Sequence, residues 1–281
     1  MRKLIIGLLC LAGVAVVIDF GAAAYTEYHV SRQLRAGAEL SADPEVTIKG
    51  FPFVAQAMSG RYDDVLIRAR SNRPDIPGEI ALEANLYGLH APVGQLLDGT
   101  AGTMAVDRVE AQMAIEPIEL GRLFGIPDLQ VLGPPADKSD GTGGSGGSGL
   151  TTAGAHVLKG SLPVAADGRI LPVGVTPGST ATKVEVQVEA DLLLDGDQIR
   201  IQATRFYTDR TATTDTPASA TKSEILDEDR PAVLERFSRT IDTKELPFGI
   251  APTEVEAKGG QIIVYGIGRS MTIDLDQLQQ P

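Results

Sequence analysis

The chain contains no tryptophan, few aromatic residues (5%) and one cysteine among its 281 residues. A single cysteine excludes an internal disulfide, so packing alone must hold the fold. Cys10 lies inside an apolar run, and Leu9 precedes it where a lipoprotein cleavage signal needs a small residue, so it reads as an apolar filler. Basic residues are also short: 25 Lys and Arg stand against 37 Asp and Glu, a net charge of -12. That balance excludes nucleic acid as a partner, because binding it requires a basic stripe to release counterions. With so few aromatics, Val, Ile, Leu, Ala and Met must fill any core. An aliphatic lining of that kind suits an acyl chain, and it equally suits an ordinary closed core.

Recognisable catalytic chemistry is missing as well. The three histidines, His29, His90 and His156, stand about sixty residues apart with no ligand spacing. Asp191, Asp195 and Asp197 lack the acidic twelfth position of a calcium loop. Gly143-Gly144-Ser145-Gly146-Gly147 imitates a nucleophile elbow, and Gly141, Gly143 and Gly146 imitate a dinucleotide turn. Neither has a strand entering and a helix leaving. Asp63-Asp64 and Glu228-x-Arg230 read as solvated faces and helix-start charges. No nucleophile with a base and an orienting partner can be named, so neither an enzyme nor a cofactor is expected.

What is present begins at the N-terminus. Arg2 and Lys3 precede fifteen uncharged, largely apolar residues from Leu4 to Ile18, and Ala22-Ala23-Ala24 stands before Tyr25. Residues 1–25 therefore read as a cleaved signal peptide with a small-x-small site or as a retained signal anchor. As an anchor, the segment to Tyr25 approaches the roughly 20 residues that span a bilayer, with Asp19 near the far interface. In both cases residues 26–281 are expected to be exported, at the outer face of the cytoplasmic membrane or in a periplasm-like space. They are long enough for one sizeable core or two small ones.

The period along that portion is mostly two. Val184, Val186, Val188 and Ala190 alternate with Glu185, Gln187, Glu189 and Asp191, the pattern of a strand wet on one side. The pattern recurs at 65–69, 80–86 and 109–115, and the apolar parity flips near Arg108, which predicts a bulge or a bend. Asp195-Gly196, Gly259-Gly260 and Asp167-Gly168 are hairpin signals. Helices are predicted over Tyr25 to Leu40 as a continuation of the N-terminal segment, after Phe53, over Pro117 to Phe124 and over Glu224 to Thr240. Long antiparallel strands with a few helices make an α+β fold. Residues 134–149, ending in Gly/Ser repeats, are too polar to bury a core and are expected to form a flexible insertion in one domain, with a hinge as the alternative.

Two blocks stand out. Gly50-Phe51-Pro52-Phe53 leads into Gly60-Arg61-Tyr62-Asp63-Asp64-Val65, and Leu246-Pro247-Phe248-Gly249-Ile250 leads into Pro252 to Ala257. In each, Pro fixes an entry angle and Phe is expected to pin the turn on the core, as symmetric corners of one sheet. With the apolar N-terminal helix, these blocks make most of the chain resemble the LmeA-like phospholipid-binding family of actinobacterial cell envelopes. The resemblance implies a tubular lipid-binding-like fold, with a highly curved antiparallel sheet wrapped along a long helix. It further implies a phospholipid ligand, including phosphatidylinositol-type lipids, a role in envelope lipid or lipoglycan assembly, and no catalytic residue. On that reading the lipid contacts are Phe51, Phe53, Val65, Ile67, Leu82, Leu86, Val184, Val186 and Phe248. The alternative is a structural or partner-binding envelope protein whose sheet is a closed core; an open apolar groove of several hundred Å³ would separate the two.

Overall fold

A computed structural model describes residues 2–37, 40, 42–72, 76–98, 103–132, 156–165, 167–172, 182–207, 225–242 and 246–274. The Gly/Ser segment 134–149 lies outside the described residues. The structure is α+β, with one long helix and two antiparallel sheets where a single curved sheet was expected. The first sheet has six strands, β1 (Glu45–Lys49), β2 (Arg61–Asn72), β3 (Glu79–His90), β4 (Thr103–Ile115), β10 (Glu254–Lys258) and β11 (Gln261–Asp274), ordered β1-β2-β3-β4-β11-β10. The second has five, β5 (Gln130–Leu132), β6 (His156–Val164), β7 (Thr182–Asp195), β8 (Gln198–Phe206) and β9 (Arg239–Asp242), in sequential order. One apolar core runs through both sheets, from Val30 and Leu34 to Val188 and Ile201.

The helix α1 (Arg2–Gly37) is continuous through the N-terminal segment and the predicted Tyr25 helix. Its side chains from Leu4 to Ile18 are largely exposed, whereas Val30 and Leu34 are buried against the first sheet. Between these two regimes sits Asp19, buried, whose carboxylate accepts from the backbone N–H groups of Phe53 and Val54, each at 2.8 Å. These amides open the short helix α2 (Phe53–Ser59), whose own N-cap residue, Pro52, offers no side-chain acceptor. A residue 34 positions upstream thus supplies the cap that the local sequence lacks.

The parity flip expected near Arg108 is a bend, not a bulge, and four strands share it. Tyr62 faces Leu89 and Asp64 faces Tyr87, while Leu89 faces Val106 and Leu86 faces Val109. Likewise Met271 faces Val106 and Gly268 faces Val109. The register is therefore the same on both sides, whereas a bulge would have shifted it by one residue. Asp63, Gly88, Asp107 and Ser270 form the intervening row, at which pairing lapses, with Gly88 at φ 64° and Ser270 at φ 47°. Across this row each strand changes which parity faces inward: Tyr62 before it, then Val65 and Ile67; Leu86 before it, then Leu89.

The predicted turns hold with local adjustments. Gly259 and Gly260, both at positive φ, join Lys258 to Gln261 as a two-residue hairpin. In the β7–β8 hairpin Asp195 already pairs with Gln198, so the two turn residues are Gly196 and Asp197. The helix α4 (Pro117–Phe124) appears with its predicted bounds, Pro in its first turn and left-handed Gly125 at its end. The helix expected over Glu224 to Thr240 is instead a 3-10 turn at Asp227–Asp229 and the seven-residue α5 (Arg230–Arg236). It stops because Arg239 to Ile241 pair with Ile201 to Ile199 as β9, taking the β-branched Thr240 and Ile241 into the sheet.

Candidate functional site

The C-terminal half of α1 lies over the inward face of the first sheet and leaves a wholly apolar crevice there. Val30 comes from α1, Val46 and Ile48 from β1, Tyr62, Val65 and Ile67 from β2, Leu86 and Leu89 from β3, and Leu96 from the short helix α3 (Val93–Asp98). The bend assembles this lining. With an unbroken pleat Tyr62 would point away from Val65 and Ile67, because their positions differ in parity. The flip at Asp63 and Gly88 brings Tyr62 and Leu89 to the same side as Val65, Ile67 and Leu86.

Tyr62 is the one lining residue with a polar atom. It is fully buried, its hydroxyl has no hydrogen-bond partner among the described residues, and burial pushes its phenol above the ordinary value. An orphaned buried hydroxyl costs about 1–3 kcal/mol. As it stands the crevice holds only about 10 Å³ of free space, close to the room for one water.

A larger cleft, about 410 Å³, opens at the β1–β2–β3–β4 surface beside Leu82. Its character is different: Asp43, Glu45, Arg68, Arg70, Glu83 and Gln112 line it together with small alanines. Both arginines are committed, Arg68 to Glu83 at 2.7 Å and to Glu45 at 3.7 Å, and Arg70 to Glu116 at 3.4 Å. Paired guanidinium groups in an acidic setting make a poor seat for a phosphate. Among the described residues no group of three or more His, Cys, Asp or Glu side chains could hold a metal ion.

Residues 17–267 match the model of the LmeA-like phospholipid-binding family. The chain belongs to that family. No curated protein and no solved structure matches it. The family is one of phospholipid binders, and its matched region takes in the buried end of α1, both sheets and both Pro-Phe blocks.

Among the LmeA-like candidate contacts, the structure brings Val65, Ile67 and Leu86 together in the crevice. Phe53 joins them through Tyr62, their rings 6.2 Å apart. Leu82 is buried on the same sheet but borders the charged cleft. Val184 and Val186 are buried on the second sheet, within the shared core. Phe248 is buried at φ 62° in a tight turn where Leu246 bridges to Ile250. Phe51 does not pin its turn to the core: it is 63% exposed and stacks on Phe20 at 6.2 Å, while Phe53 provides the inward anchor. The two blocks flank the first sheet, one entering β2 and the other β10. Sequence reasoning missed Tyr62, Leu89, Leu96 and the Asp19 cap. Tyr62 had a signal: an aromatic out of parity with Val65 and Ile67 inside an otherwise alternating strand.

Proposed function

We propose that this chain is an extracytoplasmic, non-catalytic phospholipid-binding protein that supports envelope lipid or lipoglycan assembly, and that it shelters an acyl chain in the crevice under α1. The observation that carries the reading is a wholly apolar crevice lined in part by Tyr62, a residue whose buried hydroxyl has no partner among the described residues. A glycerol-ester carbonyl of a diacyl lipid is an acceptor that could enter with its own apolar chain and satisfy that donor. Sheltering methylenes contributes about 0.8 kcal/mol each, so a modest length of chain offsets the work of parting α1 from the sheet. Val65, Ile67, Leu86 and Phe53 are the proposed chain contacts. The headgroup, of phosphatidylinositol type on this reading, stays at the mouth. Arg2 and Lys3 stay on the cytoplasmic side and the sheets lie outside.

The crevice's small free volume favours one rival, a structural envelope protein whose core stays shut. Native mass spectrometry of the full chain, extracted in mild detergent, separates the two. Lipid binding requires a retained phospholipid that is lost when Leu86→Trp fills the crevice in a protein that stays folded. Absence of lipid from the unmodified protein assigns the structural role. A reporter fused after Pro281 should be active only outside the cytoplasm.

A further inference from the structure

We infer that the Gly50–Gly60 segment, bolted by Asp19 to a retained N-terminal helix, is a membrane-seating platform whose exposed Phe20, Phe51, Val54 and Met58 enter the outer-leaflet interface. The first support is composition in space. No Asp, Glu, Lys or Arg occurs from Gly50 to Gly60, nor from Leu4 to Ile18, in a chain of which 22% is charged. The structure joins these two uncharged stretches at one point, where the Asp19 carboxylate takes the Phe53 and Val54 amides.

The second support is exposure. Phe20 and Phe51 are each 63% exposed and stacked on one another, Met58 is 85% exposed, and Val54 lies one helical turn before Met58 on the same side of α2. The buried side of α2 carries Phe53 and Gln56. Large apolar side chains grouped around a membrane helix fit a lipid interface better than water.

The third is length. Fifteen residues from Leu4 to Ile18 rise about 22 Å along a helix, short of the roughly 30 Å of hydrocarbon. Spanning it from Leu4 takes about 20 residues, so the boundary falls about one helical turn beyond Asp19, and the α2 segment bonded there lies beside the interface. An unpaired carboxylate there would be costly, and here two backbone amides satisfy it. Cleavage after Ala24 would remove Asp19 and Phe20 and strip α2 of its cap, so the platform requires the helix to remain. The platform also adjoins the crevice, because Phe53 on its inner side touches Tyr62. It rests on the N-terminal helix spanning the membrane, and not on the crevice holding a lipid.

The absence of tryptophan supplies the test. Full-length chain carrying Met58→Trp or Phe51→Trp is reconstituted into phosphatidylcholine–phosphatidylglycerol vesicles with brominated acyl chains. Each lone Trp should show a blue-shifted emission and lose most of its intensity to bromine. Leu193→Trp, at an exposed position on the second sheet, should lose none. Adding Asp19→Ala to Met58→Trp should restore emission, with α1 still in the bilayer. Unquenched Met58→Trp and Phe51→Trp overturn the platform, as does a mature chain beginning after residue 24. Quenching unchanged by Asp19→Ala overturns the bolt. A face that is unquenched in vesicles but crosslinks to a protein in cells belongs to that protein. Native mass spectrometry reports on the crevice whatever these outcomes.

Discussion

Gly88 on β3 and Asp107 on β4 share the row at which the first sheet bends, and the Asp107 carboxylate occupies the space a β-carbon on Gly88 would need. The same carboxylate reaches Arg61 on β2 at 2.9 Å. Three strands of the bend are thus linked by a residue type that permits φ 64° and by a side chain that fills what its missing β-carbon leaves open.

Gly88→Ala is expected to destabilise the chain by about 1–3 kcal/mol, through left-handed strain and displacement of Asp107. Asp107→Ala alone should cost under about 1 kcal/mol, because its ion pair with Arg61 is exposed. Urea unfolding of both variants measures this. Equal stability of Gly88→Ala and the parent would show that the bend tolerates a β-carbon.

Tyr62→Phe separates folding from binding. Removing a buried hydroxyl that has no partner should leave the lipid-free melting temperature unchanged or raised. Retention of phospholipid should weaken by about 1–3 kcal/mol, the worth of a buried donor finding its acceptor. Competition for a fluorescent diacyl lipid reads the second effect. Unaltered lipid retention would remove Tyr62 from the site.

Val186→Asp asks whether the second sheet shares the ligand. Val186 is 2% exposed within the common core, so a carboxylate there has no route to water. Outright loss of the cooperative transition is the expected result by circular dichroism. A folded variant that has only lost lipid would extend the groove onto β7.

Stability should depend on His156. Burial pushes its imidazole below the ordinary value, outweighing the opposite pull of Asp191 and Glu256. The unfolded chain takes a proton near pH 6.5, and the folded chain takes it only at lower pH. Between these points the unfolded state holds more protons, so stability rises with pH. The contribution is present above about pH 6.5 and is lost as pH falls toward the folded-state value. Melting temperatures measured from about pH 7.5 down to about pH 5.5 should fall less steeply in His156→Gln than in the parent. Parallel curves would exonerate the histidine.

Features encoded within a few residues were legible in the sequence. The alternation at Val184 to Ala190, the Gly259-Gly260 hairpin, the bounds of α4 and the α+β class each follow from periodicity or turn chemistry inside a short window. The parity flip near Arg108 was visible too, and the Pro-Phe blocks carried the family resemblance. Even local signals failed where a sheet competed: the helical pattern predicted over Glu224 to Thr240 could not show that Thr240 and Ile241 would be claimed by β8.

The rest is pairing across long separations. Only tertiary structure set Asp63, Gly88, Asp107 and Ser270 in one row, because a single strand's flip does not say whether its neighbours flip with it. Only that shared bend then turned Tyr62 inward under α1. Asp19, by itself a lone acid after an apolar helix, acquired its role when Phe53 and Val54 brought two unbonded amides to it. Periodicity determines which face of an element is apolar; which distant element covers that face, and which orphaned donor meets which acceptor, is decided by packing the whole chain at once.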